Sequence, residues 1–322
     1  METDGEHPPE ITGAITVKAS ATNLRLALEW QDSMTESGAR LLLGTIKWSY
    51  SRRSVLEQCP RRYYYEYYGA SARAATGDPN KATLRFLKSL QTRHERAGTI
   101  AHLVISTYFR KGQSGEVWEA ERLCDWAQDM FRKDCAYSRT HPDGSAQPSG
   151  RFPPVLLQEY YYRHPEASTV CAEVEKRLVT GLRTFRGSVR FAEFRLAGIR
   201  NGALVEWNLT LPGFPCGVGG RLDLAFTAGK HVTVIDWKIG EPSGRGDESL
   251  QLATYALWAS SHFRTDAEAI TVCEAFLNAD EVVRFPVSGS VLANARSRIL
   301  QDAERMAVLH EYGQRGKMEA FT

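Results

Sequence analysis

The sequence predicts a mixed α/β or α+β fold, with a helical first half followed by a sheet flanked by helices. Three observations predict it. Between Lys81 and Lys111 the spacing of Ile100, Leu103, Val104 and Thr107 is helical. From about residue 203 the texture changes to short alternating runs rich in β-branched residues: ALVEWNLTL, GVGGRLDLAF and HVTVIDWKI. Helical spacing returns at about 247–261 and 289–312, on either side of a strand pair at about 269–286.

The elements follow in order. Residues 1–43 have weak periodicity and many small polar residues, which predicts a partly ordered lead-in. Trp48 to Gly69 reads as two helical turns meeting at Pro60. Ser51 is the expected N-cap of the first, and Pro60 suits the first position of the second. Segments near 115–138 and 165–186 read as helices, and HPDGSAQPSGRFPP between them is a loop dense in turn residues.

Composition narrows the function classes without choosing one. Hydrophobic content of 43% and charged content of 24% are those of a globular protein. The net charge of +2 gives no global basic field, so any nucleic-acid surface must come from local segregation of charge. The opening METDGEHPPE lacks the basic and apolar regions of a signal peptide, and no apolar run approaches the roughly 18 residues that span a bilayer. The six cysteines are scattered without a CxxC pair, the pattern of reduced thiols in a cytoplasm.

The chemistry is concentrated between Gly219 and Lys238. Period-2 alternation in GGRLDLAF puts Leu222, Leu224 and Phe226 on one face and Arg221 and Asp223 on the other. In HVTVIDWKIG the same rule sets Asp236 and Lys238 side by side, away from Ile235 and Trp237. If the turn between the strands is even-numbered and centred on Ala228–Gly229, Asp223 pairs opposite Val234. It then lies diagonal to Asp236 at about 7 Å between Cβ atoms. Two carboxylates so placed can grip one hard cation such as magnesium, and an adjacent lysine can orient a water or take its proton. An odd-numbered loop would put Asp223 on the other face and break the set.

Further residues add to this pair, each with an ordinary alternative. Gly98 stands one helical turn before His102 and leaves open space beside the imidazole; a lone helix histidine is more often simply packed. Gln251 and Tyr255, four apart, share one helix face, as packing residues also do. Glu206 in VEWNL is either a supporting acid or an exposed strand carboxylate. Arg52, Arg53, Arg61 and Arg62, interleaved with five tyrosines from Tyr63 to Tyr68, offer contacts to phosphates and bases. The alternative for the tyrosines is a helix–core contact with hydroxyls at the rim; the arginines are the expected DNA contacts.

Taken in order, GxxxH, GRLDLAF, VIDWKIG and QLATY resemble the RecB-like branch of the PD-(D/E)xK nuclease superfamily, and SYSRRSVLEQCPRRYYYEYYG resembles that branch's N-terminal opening. The resemblance spans about residues 48–260. It implies a restriction-endonuclease-like core, with a central mixed sheet flanked by helices, over residues 44–322, and a helical insert at about 112–200. It implies a DNA nuclease using Mg2+ or Mn2+, with His102, Asp223 and Asp236 as metal ligands and Lys238 as catalytic lysine. Gln251 and Tyr255 would form its QxxxY motif, positioning the helix and the substrate phosphate. Exonuclease action beside a separate helicase, in repair or antiviral defence, fits the branch; a non-cutting DNA- or partner-binding subunit and an RNA-directed nuclease are the competing readings.

Three departures bear on this. Many members of the branch hold an iron–sulfur cluster on four cysteines, three of them near the C-terminus. Here Cys59 takes the first position but no cysteine follows Cys273, so no cluster is expected. Leu224 stands where a basic residue often follows the motif aspartate. No GxxxxGK[ST] is present, so no helicase motor is expected in this chain.

Overall fold

Ser49, not Ser51, opens the first helix. In the computed structural model, which describes residues 43–71, 80–145, 148–242 and 248–322, the Ser49 side chain accepts from Arg52 N at the start of α1 (Tyr50–Gln58). The expected lead-in lies, up to residue 42, outside the described residues. The chain immediately before Ser49 is β1 (Lys47–Trp48), a strand too short to show periodicity. Cys59 then caps α2 (Pro60–Tyr64), with Pro60 at its first turn as expected, and a π-helical turn continues to Gly69.

The long predicted helix divides at Leu90 into α3 (Lys81–Ser89) and α4 (Arg93–Gln113). Thr92 opens α4 through a reciprocal capping box with Glu95, which the pattern T-x-x-E announces. Next come α5 (Ala120–Thr140), the short α6 (Gln158–Tyr161), α7 (Ala167–Gly187) and α8 (Ala192–Gly198). Neither α6 nor α8 has the length to show a period. The sheet strands are β2 (Leu204–Leu211), β3 (Gly217–Ala228), β4 (His231–Lys238), β5 (Ile270–Phe276) and β6 (Glu281–Phe285). The helix α9 (Glu248–Phe263) precedes β5, and α10 (Gly289–Gln314) follows β6.

The sheet is mixed. β1 runs parallel to β3 and β4 parallel to β5, while β2–β3, β3–β4 and β5–β6 are antiparallel. Val218 pairs with both Leu211 and Trp48, and Leu224 pairs with both Val205 and Ile235. β2 therefore holds one edge of β3, while β1 and β4 share the other. Along that shared edge β1 stops at Val218 and β4 stops at Leu224, leaving a fork beside residues 219–223.

Two cores cover the faces. On one, Ala225, Val232, Val234 and Val272 pack with Ala253 and Ala256 of α9 and Ile299 and Ala303 of α10. On the other, Leu224, Phe226, Ile235 and Trp237 pack with Ile100 and Val104 of α4, Phe131 of α5 and Phe185 of α7. The helix α9 is buried on nearly every side because it lies between sheet and α10. Leu222 corrects the expected alternation: it joins the α9 side, unlike Leu224 and Phe226. The break falls level with Glu206 on β2, whose φ of +48° takes that strand out of its regular pleat.

Candidate active site

The fork positions the acids. The β3–β4 hairpin closes with Gly229 and Lys230 between the pair Ala228↔His231, and Gly229 has a φ of +62°. The register is thus shifted by two residues from the expected one, with Ala225 rather than Asp223 opposite Val234. A two-residue shift preserves the parity of the pairing. Continuing the register one step beyond Leu224↔Ile235 brings Asp223 and Asp236 directly opposite. There the ladder gives out, and the Asp223 side chain enters it: its Oδ2 accepts the Trp237 backbone N–H at 2.7 Å.

His102 comes from α4. Its Nδ1 lies 3.1 Å from Asp223 Oδ1 and 3.5 Å from Glu206 Oε1. Burial pushes the imidazole's pKa down. The charge of Asp223, hydrogen bonds to Asp223 and Glu206, and the charge of Asp236 outweigh that and hold it at about 10. Asp223 is driven upward by burial and by Asp236, against the pull of His102. Gly98 lines the same cleft, about 450 Å³ in volume, and a Cβ there would meet nothing within 4 Å. Among the described residues no other element fills the space that glycine leaves.

Asp236 is surrounded by the remaining expected residues. Lys238 Nζ stands 2.7 Å from its Oδ2. The Tyr255 hydroxyl accepts from Gln251 Nε2 at 2.8 Å and reaches two acceptors, the Arg221 carbonyl at 3.0 Å and Asp236 Oδ1 at 3.3 Å. Gln251 Nε2 is itself 3.4 Å from Asp236 Oδ1. Gln251 and Tyr255 thereby tie α9 to both β3 and β4. Burial lowers the Lys238 pKa, but the charge and hydrogen bond of Asp236, then Glu274 and Asp223, raise it above the ordinary lysine range.

Two acids complete the cluster. Glu274 on β5 pairs in register with Asp236, is buried, and lies 3.9 Å from Lys238 Nζ. A lone acid inside the apolar run ITVCEAF is the signal that marks it in the sequence. Glu206 contacts His102 and also pairs with Arg221 at 2.7 Å. Among the described residues, ligand atoms of His102, Glu206 and Asp223 lie within 4.8 Å of one another.

The arginines separate. Arg53 is buried and ion-paired with Asp302 of α10 at 3.3 Å, which corrects its expected place among DNA contacts: its charge is spent on the core. Arg52 stacks over Tyr67 at 4.4 Å, Arg62 pairs with Glu66 at 2.6 Å, and Arg61 is exposed. Tyr63, Tyr64 and Tyr68 cluster with Phe321, and Tyr68 contacts His310, the helix–core alternative for these rings. The Cys59 Sγ accepts from Arg62 N in capping α2.

The family model of the PD-(D/E)XK nuclease superfamily matches residues 47–316. The chain belongs to that superfamily. No curated protein matches the chain. The six-stranded mixed sheet between helical layers is the restriction-endonuclease-like arrangement of these proteins, which use divalent metals. The donor set of this PD-(D/E)XK protein suits such an ion: hard carboxylate oxygens of Glu206 and Asp223 and one imidazole nitrogen, gathered within 4.8 Å of one another. Among the described residues no helix is long and apolar enough to cross a membrane.

Proposed function

We propose that this chain is a metal-dependent DNA nuclease of the RecB-like branch, hydrolysing phosphodiesters in the fork between β1 and β4. The observation that carries the reading is the meeting of His102, from α4, with Asp223 at 3.1 Å, beside an Asp236–Lys238 pair at 2.7 Å. Residues 44–322 form the nuclease domain in this reading, with α5–α8 as its helical insert.

His102, Asp223 and Asp236 hold the cation, Mg2+ or Mn2+. When bound, the ion polarises the phosphate and lowers the pKa of a water. Lys238, 2.7 Å from Asp236 and 3.9 Å from Glu274, is placed to donate to an anionic oxygen or to orient the water. Gln251 and Tyr255 fix Asp236 and the Arg221 carbonyl, holding the two strands at a constant separation. Arg52 on α1 directly follows the cleft-lining Ser49–Ser51, and Arg61 and Arg62 are on α2; in this reading the three meet the phosphates of an entering strand. In this reading the nuclease works in the cytoplasm beside a helicase, in repair or antiviral defence.

The test is digestion of linear, circular and single-stranded DNA, with RNA in parallel, using magnesium or manganese and Asp236→Ala as control. Metal-dependent DNA cleavage lost in the control is expected. DNA binding without cleavage by the unaltered chain overturns the reading, and preferential cutting of RNA overturns the substrate assignment.

A further inference from the structure

We propose that Glu206 is a further ligand of this cation, so that the site draws one acid from each of three neighbouring strands: Glu206 from β2, Asp223 from β3 and Asp236 from β4. The proposal rests on the metal-site reading above. Two donor atoms at right angles on one small divalent cation, each at about 2.1 Å, stand about 3 Å apart. His102 Nδ1 and Asp223 Oδ1 are 3.1 Å apart, and His102 Nδ1 and Glu206 Oε1 are 3.5 Å apart. Both separations suit neighbouring corners of one coordination shell.

Glu206 is also presented as a ligand is. Arg221 Nε takes its Oε2 at 2.7 Å, which leaves Oε1 on the side of His102. The β2–β3 register places Glu206 level with Asp223 between the pairs Val205↔Leu224 and Trp207↔Leu222. The ordinary role of a strand glutamate, a solvated surface charge, does not fit a side chain only 11% exposed. A carboxylate so enclosed, beside a second carboxylate, needs a nearby positive charge. Arg221 supplies one at 2.7 Å, and a bound cation would supply another. The consequence is a cation held firmly by the protein before any nucleic acid arrives.

The experiment is calorimetric titration of the full chain with Mn2+ in the absence of DNA, on Glu206→Gln, Asp223→Asn and the unaltered protein, with melting curves. Glu206→Gln is expected to weaken Mn2+ binding beyond the roughly ten- to hundredfold that loss of a group merely hydrogen-bonded to a ligand costs, while melting as a folded protein. Unchanged Mn2+ affinity in Glu206→Gln, with binding lost in Asp223→Asn, overturns the Glu206 assignment and leaves the metal-site reading intact. Unchanged affinity in both overturns the reading itself and the proposal with it. If Glu206→Gln fails to fold, Glu206→Asp carries the test: it keeps the charge but withdraws the oxygen. It should bind Mn2+ more weakly than the unaltered chain, and equal affinity overturns the assignment.

Discussion

Asp223 accepts the backbone N–H of Trp237 through Oδ2, at the point where the β3–β4 ladder ends. Its other oxygen faces His102. One side chain thus closes the sheet and opens the site. Asp223→Ala removes both functions and leaves a buried N–H without its acceptor, at a cost of about 1–3 kcal/mol. Asp223→Asn keeps an acceptor. Both variants should lose cleavage, while Asp223→Asn should melt higher than Asp223→Ala. Equal melting temperatures would show that the Trp237 contact contributes nothing.

Lys238 is the second test. Lys238→Met removes the ammonium but keeps most of the chain's apolar length. Cleavage should fall by about a hundred- to a thousand-fold, the loss seen when one electrostatic donor is removed. Mn2+ binding should persist, because no metal ligand is altered. Loss of metal binding together with activity would place Lys238 in a structural role instead.

Gly98 gives a prediction of opposite sign for stability and activity. It lies inside the 21-residue helix α4, and a Cβ there meets nothing. Gly98→Ala should therefore stabilise the protein by about 0.5–1 kcal/mol through helix propensity. Gly98→Leu projects into the cleft. It should keep the fold and the metal while obstructing DNA, read as a raised KM or lost cleavage in a variant that melts normally. Full activity in Gly98→Leu would mean that the strand takes another path.

What the sequence made legible follows from the range of each interaction. The alternation in GRLDLAF and VIDWKI located the strands, and the two-residue slip of register kept the parity of their pairing. Turn centring depends on which residue takes the positive φ, and Gly229 takes it at the first loop position, which alternation does not encode. β1 has two residues and carries no period. Glu274 reaches Lys238 only through the β4–β5 pairing, formed across α9. The burial of Arg53 depends on Asp302, almost at the far end of the chain, so nothing local separates it from the neighbouring Arg52.

That separation is measurable. Removing Arg53 leaves Asp302 buried without its buried cation, with the more exposed Arg298 remaining at 3.3 Å. Arg53→Ala should cost several kcal/mol, on the order of 3 or more for a broken buried pair, seen as a shifted denaturant midpoint. Arg61→Ala should leave the midpoint unchanged, weaken DNA binding, and reduce the salt dependence of that binding by about one counterion. If Arg53→Ala keeps its midpoint while losing DNA, the buried pair has been misread.

The last prediction concerns the ion and His102 together. Magnesium prefers oxygen ligands in near-ideal octahedral geometry, whereas manganese accepts imidazole more readily. Manganese should therefore support cleavage at least as well as magnesium, and calcium, larger and looser in geometry, should occupy the site and cut poorly. The His102 ring stands against the carboxylates of both Asp223 and Glu206. His102→Ala takes away that neutralising contact and leaves the two acids facing each other, so the metal-free variant should melt below the unaltered protein. Added Mn2+ supplies the missing charge. It should raise the melting temperature of His102→Ala and partly restore its cleavage, at manganese concentrations above those the unaltered protein needs. A merely packed histidine makes a different forecast: the variant melts low, manganese does not rescue it, and cleavage titrates with manganese as before. Melting curves and cleavage rates across one manganese series distinguish the two outcomes.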